Sequence, residues 1–128
     1  MRSALILAVL LFTIYTINFG SLGSNDTTPT RYLPLSLFYD HNFDLDEFTF
    51  LFDGKRLPYF LVAGHDRRHA YSTFGIGTAL TALPVFLAPM GMKSSWTWDE
   101  VILVAKVAAS LIVALSCVFL FFALRRWL

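Results

Sequence analysis

Two charge-poor apolar runs lie near the ends of this chain, and a mixed, aromatic-rich stretch lies between them. The first run, Ser3–Phe19 (SALILAVLLFTIYTINF), holds seventeen residues without a charge. As a helix it rises about 26 Å, close to the ~30 Å of a bilayer's hydrocarbon core. The second, Val101 to Leu124, is longer and is interrupted only by Lys106. That lysine stands about a turn and a half from the start, where a long stem can carry its charge to the interface. Trp96 and Trp98 precede this run and Trp127 follows it, the depth at which amphipathic rings favour the headgroups. Both runs read as transmembrane helices. The first also has the marks of a cleaved signal peptide, with Arg2 as a basic n-region and Ser21-Leu22-Gly23 as a small-x-small sequence. Its apolar length exceeds the usual ~7–15 residues of such a segment, which favours a retained helix.

A third apolar stretch, Phe74 to Met92 (FGIGTALTALPVFLAPMGM), decides the topology. If it crossed the membrane, Arg125-Arg126 would end up outside, against the positive-inside tendency. Gly75, Gly77, Pro84 and Pro89 also make a continuous spanning helix poor. It reads instead as an interfacial or re-entrant helix. The expected order is a first transmembrane helix over residues 1–20, an extracytoplasmic loop over 21–73, the interfacial or re-entrant helix over 74–92 and a second transmembrane helix over 99–126. This is a multi-pass protein of the cell membrane with both termini cytoplasmic.

Within the loop, Phe48–Phe52 and Leu57–Val62 are short β-prone runs separated by Asp53-Gly54-Lys55-Arg56, and Asp-Gly is a strong tight-turn signal, so a small hairpin is expected there. The run Tyr32–Tyr39 (YLPLSLFY), broken by Pro34, is expected to lie along the membrane surface, and Gly64-His65-Asp66-Arg67-Arg68 reads as a turn. The phenylalanines at 43, 48, 50, 52 and 60 are too many for a solvated loop and imply burial. The fold class is a mainly α membrane protein, two transmembrane helices joined by an extracytoplasmic loop with interfacial helices and a small β-hairpin.

Composition agrees with this class. Of 128 residues, 56% are hydrophobic and 15% charged, with a mean hydropathy of +0.61, too apolar for an ordinary soluble domain. The net charge of +1 carries no signature of nucleic-acid binding. Cys117 is the single cysteine, so no intrachain disulfide exists.

The candidate chemistry sits just beyond the first span, in Asn25-Asp26-Thr27-Thr28-Pro29-Thr30-Arg31-Tyr32. It puts a carboxylate and a guanidinium next to the outer interface, where an enzyme acting on a lipid-linked substrate needs them. Farther along are Tyr71-Ser72-Thr73-Phe74-Gly75-Ile76-Gly77-Thr78 and the terminal Leu124-Arg125-Arg126. In order and spacing the chain resembles the N-terminal end of the GT-C-class polytopic glycosyltransferases, the group that includes aminoarabinose and protein O-mannosyl transferases. There an acidic motif of the type Asp-Glu-x-x-Arg-Tyr opens the first outer loop, a Tyr-Ser-Lys-Tyr-Pro-x-Gly stretch starts the interfacial helix, and a basic pair ends the second span. Thr27 stands where the second acid is often found, and Thr73 where a lysine is common.

The resemblance implies an integral-membrane glycosyltransferase that takes its sugar from a polyprenyl-phosphate donor, with Asp26 as the base that removes the acceptor's proton. Such a reaction releases a phosphate that is already anionic, so it calls for cations rather than an acid. Arg31, Arg67 and Arg68 are the local supply, since a guanidinium holds phosphate oxygens bidentately. The plainer reading of the same residues is that Asp26 caps a surface helix and Arg31 anchors it at the interface.

Other polar groups carry less. Asp44, Asp46 and Glu47 form an acidic cluster that suits a divalent cation or, more commonly, a solvated loop. His65 and His69 have the i,i+4 spacing of a zinc pair, but in a turn that spacing loses its meaning. No metal site and no cofactor are expected. Asn25-Asp26-Thr27 is formally a glycosylation sequon. Transferases of the resembled group have many more membrane helices, so the chain is expected to be an N-terminal fragment, inactive alone, whose partners are membrane lipid, the lipid-linked donor and further transmembrane helices of the same or another chain. The alternative is a small two-span protein that acts through helix contacts. Ala105 with Ala109 and Ser110 with Ala114 give the small-xxx-small spacing for these.

The topology is open to a direct test. In a Cys117→Ala background, Asp53→Cys and Lys93→Cys are expected to react with an impermeant thiol reagent from outside intact cells, and Trp127→Cys is not. Protection at position 93 with labelling at 127 would put residues 74–92 across the membrane.

Overall fold

The computed structural model describes residues 2–17, 25–51, 57–65 and 68–127. In chain order these form α1 (Arg2–Thr16), a 3-10 turn (Asn25–Thr27), α2 (Thr28–Tyr39), a second 3-10 turn (Thr49–Leu51), β1 (Leu61–Ala63), β2 (Ala70–Ser72), α3 (Gly77–Met90) and α4 (Trp98–Trp127). The protein is mainly helical with one small two-stranded sheet.

The 30 residues of α4 rise about 45 Å. Its start is fixed by a capping box: the Thr97 N–H donates to Glu100 Oε2 at 2.8 Å, while Thr97 Oγ1 lies 3.4 Å from the Glu100 N–H. Lys93 Nζ reinforces this corner at 2.6 Å from Glu100 Oε1. Arg125 and Arg126 occupy the last turn, where cations complement the helix dipole. Among the described residues α4 alone is long and apolar enough to cross a membrane, and only 17% of its most apolar 18-residue stretch is buried. A core helix of that composition would be mostly covered by protein.

Helix α1 lies along α4. Tyr15, at the C-terminal end of α1, lines the same cavity as Ile102, Ala105 and Ala109 from the N-terminal half of α4, so the two helices run antiparallel. Their buried positions include Ala4, Ser110 and Ala114, small side chains that let the backbones approach. The Ser110/Ala114 pair is thus spent within the chain. The outer faces, with Leu5, Ile6 and Val9 on α1 and Leu111, Leu115 and Phe119 on α4, are apolar and exposed. The 15 described residues of α1 rise about 22 Å, short of a hydrocarbon core. The end of the predicted first span, beyond residue 17, lies outside the described residues.

Helix α2 departs from expectation. It is more enclosed by protein than a surface run: Tyr32, Leu33, Pro34, Leu35 and Ser36 are all buried, and α2 packs against both α3 and α4. Pro34 removes one backbone donor without ending the helix, because the segment is enclosed on both sides and its apolar side chains gain more from burial than one hydrogen bond costs. Helix α3 presents Ala79, Ala82, Phe86 and Met90 inward, a helical stripe that accommodates Pro84 and Pro89. Its 14 residues rise about 21 Å, too short to span. Leu33, Leu45, Phe86 and Val101, each at most 1% exposed, form the centre of the core.

Polar groups tie the layers together. The Tyr39 hydroxyl lies 2.5 Å from the Lys93 carbonyl as donor and accepts from Trp96 Nε1 at 3.0 Å, joining the end of α2 to the α3–α4 connection. The buried Ser36 hydroxyl donates to the Asp44 carbonyl at 2.6 Å, turning the chain back as it leaves α2. His41 supplies the left-handed residue after the helix, at φ 56°, a place more often given to glycine.

A hairpin is present, but not the expected one: the Leu57–Val62 run supplies its first strand rather than its second, and the partner strand comes after it. Leu61–Ala63 pairs antiparallel with Ala70–Ser72 in the register Leu61↔Ser72, Val62↔Tyr71 and Ala63↔Ala70. The connection is the Gly64–Arg68 stretch, read as a turn from its sequence. The Asp53-Gly54 turn proposed for it lies outside the described residues. Phe48 and Phe50 do not form a strand; they pack on Tyr32 at centroid distances of 4.9 and 5.3 Å, with Trp98 closing the cluster at 5.6 Å from Tyr32. Ring-to-ring contact across α2 and α4 outweighs the β propensity of a short run.

The Tyr32 hydroxyl is buried and has no hydrogen-bond partner among the described residues, and burial pushes its pKa up to about 12. A buried hydroxyl without a partner costs about 1–3 kcal/mol. Tyr32→Phe is therefore expected to raise the melting temperature in detergent, whereas Tyr32→Ala, which removes the ring, should destabilise by about 3–5 kcal/mol.

Candidate functional site

The 3-10 turn Asn25–Thr27 delivers the chain to the first turn of α2 and leaves Asp26 exposed. Tyr59, just ahead of β1, donates its hydroxyl to Asp26 Oδ1, so two segments 33 residues apart fix one carboxylate oxygen. The bond to a carboxylate favours the neutral phenol, and it holds the Tyr59 hydroxyl above its ordinary pKa.

A cavity of about 500 Å³, bounded by α1, Thr27 and the start of α2, α3 and α4, opens one residue along the chain from Asp26. Its walls are largely apolar, with Ala82, Phe86, Ile102 and Ile112 among them. Two cations reach it, Arg31 from α2 and Lys106 from α4, together with Thr27 and Thr30. The Arg31 side chain makes no ion pair or hydrogen bond among the described residues. An apolar enclosure lined by two cations suits an amphiphile with an anionic head.

The predicted site residues separate here. Arg31 lines the cavity, whereas Asp26 does not, although its chain neighbour Thr27 does. Arg68 lies in the exposed hairpin connection and is not among the residues lining the cavity, and Arg67 lies outside the described residues. Of the stretch that resembles the start of an interfacial helix, Tyr71 and Ser72 belong to β2 while Thr78 lines the cavity. The acidic cluster also divides. Glu47 stands by Ser36 and Asp40, with partial burial holding its carboxyl above the usual range, whereas Asp44 and Asp46 meet His69. Thr27 is the N-cap residue of α2 and makes no side-chain capping bond.

Two contributors escaped the sequence reading. Lys106 was expected to reach the interface as an anchor, yet its helix carries it to the cavity wall. The signal was its isolation, because a lone charge in an apolar helix generally faces a polar cavity or a partner. Tyr59 had no local signal at all. Its role depends on the hairpin bringing it to Asp26.

Comparison with known proteins finds no matching family model, no matching curated protein and no matching solved structure.

The Tyr59–Asp26 bond predicts a spectroscopic difference. In Asp26→Asn the carboxylate that raises the Tyr59 pKa is gone, so one tyrosine should ionise at lower pH than in the wild type when phenolate absorbance is followed on alkaline titration. Superimposable curves would show that the two groups are not bonded in solution.

Proposed function

We propose that this chain forms the donor-binding part of an integral-membrane glycosyltransferase of the GT-C type, acting on a polyprenyl-phosphate-linked sugar. One observation carries the reading: Arg31 and Lys106 line one apolar cavity together with Thr27, the chain neighbour of the exposed, Tyr59-bonded carboxylate Asp26. In this reading α1 and α4 cross the membrane as an antiparallel pair, residues between them lie on the extracytoplasmic side with α3 at the interface, and both termini are cytoplasmic. The exposed apolar faces of α1 and α4 meet lipid and further transmembrane helices.

The donor's phosphate binds at Arg31 and Lys106 while its polyprenyl chain follows the apolar wall toward the bilayer. Asp26 takes the proton of the acceptor hydroxyl as that oxygen attacks the anomeric carbon, and the bond from carbon to phosphate oxygen breaks. The leaving phosphate carries the negative charge, which the two cations stabilise, so no acid is required. Tyr59 orients Asp26. Arg67 and Arg68, farther along the hairpin connection, are left for the headgroup region or the outgoing phosphate.

The second reading, a small two-span protein that binds partners through small residues, is less favoured because Ser110 and Ala114 are already buried.

Binding and transfer test the proposal separately. Purified protein is expected to bind a polyprenyl-phosphate sugar, and Arg31→Ala and Lys106→Met should each weaken binding by about 10–100-fold through loss of a charge-assisted contact. Asp26→Asn should bind nearly normally but, in membranes of the transferase that carries this segment, lose transfer by on the order of 10²–10⁴-fold at matched abundance. Unchanged binding in both cation variants would remove the donor site, and near-normal transfer by Asp26→Asn would remove the base.

A further inference from the structure

Away from the cavity, the loop after α2 and the hairpin build a second cluster. Asp44 forms an isolated antiparallel bridge to Tyr71, the Leu45 N–H donates to the Ala70 carbonyl at 2.9 Å, and Asp46 Oδ1 accepts the Ala70 N–H at 2.7 Å. Residues 44–46 are therefore held alongside β2, with the two-residue alternation of extended chain. Leu45 goes fully into the core, at 0% exposure, and both aspartates stay on the other face. His69, directly before β2, meets them there: its Nδ1 is 2.7 Å from Asp46 Oδ2 and 3.4 Å from Asp44 Oδ2.

Among the described residues Asp44 has only long contacts to its carboxylate. Its side chain is nine-tenths buried, at 10% exposure, yet the nearest donors are the Asp46 N–H, 3.5 Å from Oδ1, and His69 Nδ1, 3.4 Å from Oδ2. Both exceed ordinary hydrogen-bond lengths, and the single Nδ1–H is committed to the closer Asp46. A buried carboxylate without a close donor is costly unless a cation faces it.

We infer that Asp44, Asp46 and His69 bind a divalent transition-metal ion of the Zn²⁺ type, clamping the hairpin to the segment that follows α2. The three ligand atoms lie within 4.8 Å of one another. Ligands about 2.0–2.1 Å from zinc at tetrahedral angles are about 3.3 Å apart. The Asp44–His69 separation of 3.4 Å already matches this, and the 2.7 Å Asp46–His69 pair needs only a small opening once the metal replaces the shared proton. One nitrogen and two oxygens favour zinc over calcium or magnesium, which take oxygen alone. His69 and Asp46 are partly exposed, at 46% and 35%, so a water can complete the coordination. The site stands independently of the glycosyl-transfer reading.

The test uses the full chain in detergent, purified without a histidine tag and stripped by chelator. Zn²⁺ is expected to bind one per chain and to raise the melting temperature, with Asp44→Asn and His69→Gln each weakening binding at least tenfold and His65→Gln leaving it unchanged. A second measurement needs no variant: in the wild type, Zn²⁺ should shield His69 from diethyl pyrocarbonate, as read by mass spectrometry, and leave His41 and His65 reactive. No stoichiometric Zn²⁺ binding, equal binding by both ligand variants, lack of His69 protection, or binding of Ca²⁺ but not Zn²⁺ would each overturn the site.

Discussion

Leu33, Phe86 and Val101 come from α2, α3 and α4, and each is at most 1% exposed. Their mutual burial holds the rest of the molecule in place. Helix α2 is interrupted by Pro34 and has little intrinsic stability, so only enclosure by its neighbours keeps it helical. Once it is enclosed, its first turn carries Thr27, Thr30 and Arg31 to the side of α4, and its last turn sets Tyr39 under the α3–α4 connection. The cavity is the gap left where α1, α3 and α4 cannot all close around the start of that one helix.

The polar groups divide between those that join segments and those that line the cavity or stand near it in the chain. Ser36, Tyr39, Trp96 and the Thr97–Glu100 box are all engaged in joining segments. Arg31 and Lys106 instead line an apolar enclosure, and Asp26 is steadied from a distance by Tyr59. Placing charges at the edge of apolar walls makes sense for a ligand that is itself half charged and half hydrocarbon. The exposed apolar faces of α1 and α4 extend that surface, and they give such a ligand a path of like polarity away from its charged head.

The hairpin illustrates how local signals are redirected. The run Leu57–Val62 did contribute a strand. The partner arm was not legible. Phe48 and Phe50 favour strands in isolation, but rings from α2 and α4 offer them a larger contact than strand pairing would.

By itself the sequence determined α4, because a long apolar run bounded by tryptophans and a basic pair has one favourable conformation and few alternatives. It also pointed to a helix within residues 74–92, which the structure bounds at Gly77–Met90, and it kept Asp26 and Arg31 near each other, since five residues of chain cannot separate them far. Only the tertiary structure decided that α2 is core rather than surface, that Lys106 joins Arg31, that Tyr59 reaches Asp26 and that His69 meets Asp44 and Asp46. The physical reason is common to all four. Local pattern records how a segment prefers to fold, whereas these meetings join residues 23 to 75 positions apart and follow from which apolar faces are buried against each other.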